Sequence, residues 1–175
     1  MSNYKADLHK IKAFAFDVDG VFTDGSVLTH IDGDLLRTYN AKDGYAIRYA
    51  AEKGYPVAII TGGASETIKL RFKQLKVTDI YLSSYNKLPD FEDFCYKYDL
   101  QPEEVLFMGD DIPDIPIMEK CGLATCPSDA AIEVKRAAAF ISPYKGGGGC
   151  VRDIIEQVLK VHGKWQNNDQ HIAST

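Results

Sequence analysis

The stretch FAFDVDGVFTDG, Phe14 to Gly25, limits this chain's fold more than any other feature. An apolar run, Ala13–Phe16, leads directly into Asp17 and Asp19. Gly20 follows, then the turn Thr23-Asp24-Gly25. A short apolar run bounded by turn chemistry predicts a buried strand in the middle of a sheet. Carboxylates at the carboxyl end of such a strand stand where open α/β sheets bind ligands. Two of them so close repel each other unless a cation lies between them. A hard divalent ion with oxygen ligands, Mg²⁺, fits that need. A calcium loop of EF-hand type is excluded by spacing, since it needs glycine at position six and glutamate at position twelve. Here Gly20 stands fourth and Leu28 twelfth. The other reading, an acidic turn without chemistry, is decided by the rest of the chain.

The chain's 175 residues suit one domain with a substantial core. A formal net charge of −5 argues against a nucleic-acid surface. No apolar run reaches membrane-spanning length, and the N-terminus has no apolar signal segment, so a cytoplasmic protein is expected. Cys95, Cys121, Cys126 and Cys150 form no C-x-x-C pair and are expected to be reduced. The scattered histidines give no zinc pattern.

In chain order, Ser26–His30 and Leu35–Tyr39 flank an Asp-Gly turn and predict a β-hairpin. A helix with Asp43 near its start ends at Gly54. Val57–Ile60 reads as a buried strand ending in Thr61-Gly62-Gly63. Helix is expected from Ser65 to Leu75, strand over Asp79–Leu82, and helix over Leu88–Tyr98. Val105–Met108 is a further apolar strand, ending in Gly109-Asp110-Asp111, with helix to Lys120. Strand Leu123–Thr125, helix Asp129–Arg136, strand Ala139–Ile141 and helix Val151–His162 complete the pattern. The expected domain is 1–163, followed by a polar tail, 164–175. Strands alternating with helices predict an α/β fold: a parallel sheet covered on both faces.

In such a sheet, strand ends lie along one edge. Asp17 and Asp19, Thr61 and Gly62, Lys87, and Asp110 with Asp111 and Asp114 therefore converge on one crevice. Taken singly, Thr61 reads as a helix cap, Lys87 as a surface lysine, and the second acid cluster as first-turn acids. Together they suit phosphoryl transfer: carboxylates for Mg²⁺, and a lysine and backbone N–H groups for phosphate oxygens. One carboxylate of such a site can serve as covalent nucleophile. Gly146–Gly149 reads either as a flexible loop or as a substrate contact or helix cap.

The order D-x-D-G-V-x-T-D-G, then I-T-G, a lysine, and G-D-D-x-x-D resembles the haloacid dehalogenase-like phosphatases. The resemblance implies a Rossmann-like sheet, with Asp17 as nucleophile and Asp19 as general acid/base. It implies that Thr61 binds phosphate and that Lys87 neutralises it. Mg²⁺ would take the Asp17 carboxylate, the Asp19 backbone carbonyl and Asp110, with Asp111 or Asp114 behind them. About 36 residues separate Asp24 from Thr61, too few for a cap domain beside the hairpin and helix. The hairpin, N-A-K-D-G-Y-A-I-R and G-D-D-I-P-D resemble the 3-deoxy-D-manno-octulosonate 8-phosphate phosphatases. Those are homotetramers whose hairpins pack together and whose C-terminal segments reach a neighbour's site. The implied substrate is a phosphorylated sugar acid of lipopolysaccharide precursor synthesis. Phosphatases of other nonulosonate 9-phosphates and a non-catalytic binding domain of the same fold are the alternatives. Gly63 and Gly148 stand where members often carry a basic residue. Arg71 or Arg152 is therefore expected to meet the substrate carboxylate.

Overall fold

A computed structural model of the chain describes residues 4–165. The order is α1 (Tyr4–Asp7), β1 (Ala13–Phe16), β2 (Leu28–Thr29), β3 (Leu35–Leu36), α2 (Ala41–Glu52) and β4 (Val57–Ile60). Then come α3 (Glu66–Gln74), β5 (Asp79–Tyr81), α4 (Lys87–Lys97), β6 (Val105–Met108) and α5 (Ile115–Met118). β7 (Leu123–Cys126), α6 (Ile132–Ala137), β8 (Phe140–Ile141) and α7 (Cys150–Val161) follow.

Six strands form one parallel sheet in the order β5-β4-β1-β6-β7-β8. The chain winds outward from β1 through β4 to β5, then returns to β6 on the other side of β1. The winding reverses between β1 and β6, where Phe16 lies opposite Met108. A crevice opens beyond the carboxyl ends of strands at such a point. Alternation along β1 explains the two layers. Phe14 and Phe16 enter the core under α2, α3 and α7, whereas Ala13 and Ala15 enter the core under α4, α5 and α6. The small alanines leave room for Phe91, Phe94 and Phe107 on their side.

Helix α7 buries Cys150, Val151, Ile154, Ile155, Val158 and Leu159, a continuous apolar stripe. Asp43, fully buried on α2, accepts hydrogen bonds from the Gly149 and Arg152 amides at 3.2 and 2.8 Å. It thereby satisfies N–H groups at the α7 start that have no partner within the helix. All four cysteines are free thiols. No helix among the described residues is long and apolar enough to cross a membrane.

Several boundaries differ from expectation. The hairpin strands shrink to Leu28–Thr29 and Leu35–Leu36, because an isolated two-stranded ribbon has little to hold it open to its full length. The helix expected up to Lys120 is split into a 3₁₀ turn, Ile112–Asp114, and the short α5, because Pro113 and Pro116 remove backbone donors. Helix α6 starts at Ile132 rather than Asp129, whose carboxylate instead accepts from the Gly146 amide at 2.9 Å. Of the tail expected over 164–175, residues 164 and 165 are described. Trp165 is buried, 5.0 Å from the Tyr49 ring centroid. Residues 166–175 lie outside the described part.

Candidate active site

Four strand ends meet over the switch point. β1 delivers Asp17, β4 delivers Thr61 and Gly62, the first residue of α4, beyond β5, is Lys87, and β6 delivers Asp110. With Asp19, Gly63, Tyr85, Asp111 and Asp114 they line a cleft of about 370 Å³.

The loop after β1 is shaped by its own side chains. The Thr23 hydroxyl is buried and accepts from the Gly20 and Gly25 amides at 3.3 and 3.1 Å. Gly20 has φ +81°, and a Cβ there would stand 1.9 Å from Asp110 Oδ2. Only glycine lets the β1 loop lie against the β6 acid. From below, Gly146 presses on this loop so closely that a Cβ would stand 2.0 Å from the Gly20 carbonyl oxygen. Gly147 donates its amide to Val21 O at 2.9 Å. The run Gly146–Gly149 is thus a backbone buttress for the loop and a cap for α7, and it does not line the cleft.

Lys87 is 5% exposed and bridges two acids. Its ammonium lies 2.9 Å from Asp17 Oδ2 and 2.7 Å from Asp114 Oδ1. Asp114 is fully buried, and its other oxygen accepts from the Asp110 and Asp111 amides at 2.9 and 3.2 Å. Asp114 thus fixes both the lysine and the loop that carries Asp110. Asp111 is exposed, and its carboxylate accepts from the Ile112 amide. Of the two acids expected behind the metal, Asp114 is the one built into the site.

Electrostatics single out the same cluster. Burial, then the Asp114 charge, push the Asp17 carboxyl up to about 7 despite Lys87. Burial and the Asp17, Asp114 and Asp111 charges lift Asp110 to about 8. Burial works against the Lys87 ammonium, but Asp17 and Asp114 outweigh it and hold its pKa above the ordinary value. Asp17, Asp110 and Asp114 each bring a carboxylate oxygen within 4.8 Å of the others. Asp17 Oδ1 is buried with no hydrogen-bond partner. A buried carboxylate oxygen left bare beside a second acid fits a cation, and oxygen ligands suit Mg²⁺. Both oxygens of Asp114 are already engaged, so Asp17 and Asp110 are the side chains with oxygens to offer.

Thr61 is 1% exposed, and its hydroxyl accepts from the Gly63 amide at 3.2 Å. It is not the cap of α3; Ser65 is. Asp19 lies at the cleft but outside the carboxylate trio. Its two oxygens accept from Arg37 Nε and Nη2 at 2.7 and 2.9 Å. Arg37 was not legible as a site residue, since a lone arginine after a hairpin strand carries no local signal. The expectation for Arg71 is not met by its placement: it stands over the Tyr39 ring at 5.8 Å and does not line this cleft. Arg152 lines a separate groove with Lys42 and Tyr144.

An acid cluster that calls for a divalent cation, faced by a buried lysine at the switch point of a Rossmann-like sheet, defines a phosphoryl-transfer enzyme. Residues 34–122 match the sequence model of the haloacid dehalogenase-like hydrolases, and the chain belongs to that family. It is a phosphoric monoester hydrolase of the branch without a cap domain. The 3-deoxy-D-manno-octulosonate 8-phosphate phosphatase KdsC of Escherichia coli (strain K12) is 36% identical over 159 residues, covering 91% of this chain and 85% of that protein. The crystal structure of the phosphatase of that name from Yersinia pestis superposes with a TM-score of 0.91 at 31% identity, covering 95% of this chain and 90% of its own. The Moraxella catarrhalis phosphatase, solved with magnesium, phosphate and KDO, superposes with a TM-score of 0.87 at 27% identity, covering 91% and 92%.

Proposed function

We propose that this chain hydrolyses 3-deoxy-D-manno-octulosonate 8-phosphate to the free sugar acid and phosphate. The observation that carries the reading is the bare Asp17 Oδ1 beside Asp110, with Lys87 and Asp114 fixed behind it. Relatives at 36% identity that bear this activity's name support the choice of substrate.

Asp17 is the nucleophile. Its carboxylate is turned into the cleft by the Lys87 bridge and attacks phosphorus, while the bond to the sugar's 8-oxygen breaks. Asp19 gives that oxygen a proton, then takes one from the water that attacks the phosphorylated Asp17. Phosphate leaves and Asp17 is restored. Thr61 and the backbone at Gly62 hold phosphoryl oxygens, and Lys87 offsets their charge. Asp17 and Asp110 would hold Mg²⁺ with the Asp19 carbonyl. Bound there, the ion supplies Lewis-acid charge to the phosphoryl oxygens and relieves the repulsion between the acids.

The working form is a cytoplasmic homotetramer built on the hairpin. Val27, Leu28 and Ile31 are 45%, 68% and 99% exposed, which is costly for a lone ribbon and useful for a shared interface. The product then feeds lipopolysaccharide precursor synthesis. Phosphate release from a panel of phosphorylated sugar acids tests the reading, with EDTA and Mg²⁺ added in turn. Preference for the octulosonate 8-phosphate and loss with EDTA are expected. Preference for a nonulosonate 9-phosphate would move the substrate, and full activity without metal would overturn the chemistry. Light scattering tests the assembly: replacing residues 26–39 by a short Gly-Ser bridge should yield smaller particles. A monomeric, fully active parent would contradict it.

A further inference from the structure

The Arg37 guanidinium lies behind Asp19, with its side chain 2% exposed, while that of Asp19, which lines the cleft, is 33% exposed. Three donors are spoken for: Nε and Nη2 by the two Asp19 oxygens, and Nη1 by Leu35 O at 2.7 Å. This is a two-bond fork on a carboxylate, the arrangement that arginine makes best. It also conflicts with the work assigned to Asp19. A carboxyl group that passes a proton to a leaving oxygen must turn one of its oxygens toward it, and here the two-bond fork fixes the orientation of both. A buried guanidinium gives up one anion readily only if it gains another.

The cleft offers a route for that second anion. Gly63 lines it, and a Cβ on Gly63 would stand only 3.2 Å from Arg37 Nη2. The same Cβ would stand 2.8 Å from Ile68 Cδ1, so the guanidinium is packed directly behind Gly63, at the back of the cleft surface. Tyr39, close enough to feel the charges of Arg37 and Asp19, has a buried hydroxyl with no partner. At the turn of the same hairpin, the Asp34 carboxylate accepts from the Ser65 hydroxyl at 2.6 Å, which ties the segment carrying Arg37 to the start of α3.

We infer that Arg37 is a carboxylate-operated latch: it holds Asp19 until substrate arrives and then passes to the carboxylate of a bound sugar-acid phosphate, freeing Asp19 for proton transfer. The inference rests on the substrate class proposed above. It turns a binding contact into a specificity device. A phosphorylated sugar without a carboxylate leaves the latch closed and meets an engaged general acid. Arg37 is on this account a positioning residue for Asp19 before substrate binds and a ligand for substrate in the complex.

The test compares kcat/KM for 3-deoxy-D-manno-octulosonate 8-phosphate and for a pentose 5-phosphate, in the parent and in Arg37→Gln. The variant should lose roughly 10–100-fold on the sugar acid, the worth of a charged hydrogen-bonded contact. On the pentose phosphate it should gain about threefold or more, because nothing now holds Asp19, so discrimination collapses from both sides. An equal fall on both substrates would overturn the latch and leave Arg37 as a structural prop. A second measurement uses the unaltered protein with Mg²⁺. The Arg37 Nε–H NMR resonance, identified by its absence in Arg37→Gln or Arg37→Lys, should shift when free 3-deoxy-D-manno-octulosonate is added and stay in place with inorganic phosphate alone. No shift with the sugar acid would overturn the inference. If the parent turns out not to hydrolyse the octulosonate phosphate, the functional reading fails, while this titration still decides the latch.

Discussion

Asp114→Asn is the perturbation whose consequence can be worked most closely from the geometry. The Asp114 carboxylate serves two sides at once: Lys87 at 2.7 Å through one oxygen, and the Asp110 and Asp111 amides at 2.9 and 3.2 Å through the other. An amide of the same shape has one oxygen. If that oxygen faces the two amides, its NH₂ group faces the Lys87 ammonium, donor against donor, at a fully buried position. A hydrogen bond to a charged group contributes about 1.5–3 kcal/mol, and the ammonium keeps only Asp17 as partner. Relief of the repulsion between Asp17 and Asp114 offsets part of this. The expected loss of stability is about 1–3 kcal/mol. Turnover should fall further, by about 100-fold, because Lys87 and the Asp110 loop lose their fixed positions together. Urea unfolding followed by the fluorescence of Trp165, the chain's one tryptophan, reads the first quantity. Steady-state phosphate release at saturating Mg²⁺ reads the second. A variant with unchanged unfolding midpoint and turnover within threefold of the parent would refute the reasoning.

Other outcomes follow from the same cluster. Asp17 and Asp110 have folded-state pKa values raised to about 7 and 8, so the metal-free protein carries protons there at neutral pH. Stability from these protonated acids is present below the ordinary carboxylate range near 4 and is lost as pH rises through about 7–8. Mg²⁺ should reverse that trend and release protons on binding at pH 7, measurable by calorimetry in buffers of different ionisation enthalpy; binding without proton release would contradict it. Asp19→Asn should slow the burst on a sugar phosphate by about 10²–10⁴-fold and on an aryl phosphate far less, since a good leaving group needs no proton. Equal losses in the two bursts would remove Asp19 from its role.

What the sequence made legible follows from which residues carry a local signal. Ala13–Phe16, Val57–Ile60 and Val105–Met108 are apolar runs ending in polar turns, and each is a strand with the bounds its pattern implies. Once strands alternate with helices, the placement of Asp17, Thr61, Lys87 and Asp110 along one edge follows from parallel winding alone. Arg37 was hidden because its partner, Asp19, lies 18 positions away. Arg71 was misplaced for a related reason: a free cation on a helix says nothing about which face it occupies, and here that face meets Tyr39. The choice between Asp111 and Asp114 depended on a 3₁₀ turn that brings Asp114 back under its own loop. The glycines at 146 and 147 were ambiguous because their reason is the backbone they touch, not any side chain near them in sequence.

The central claim is that Asp17 carries the phosphoryl group during turnover, and trapping that group tests it most directly. The protein would be mixed with 3-deoxy-D-manno-octulosonate 8-phosphate and Mg²⁺, quenched in acid within milliseconds, digested and mapped by mass spectrometry, with Asp17→Asn treated in parallel. The account predicts a phosphorylated peptide bearing Asp17 that disappears in the variant along with turnover. Steady turnover with no phosphorylated carboxylate, or with the label on another residue, would contradict it.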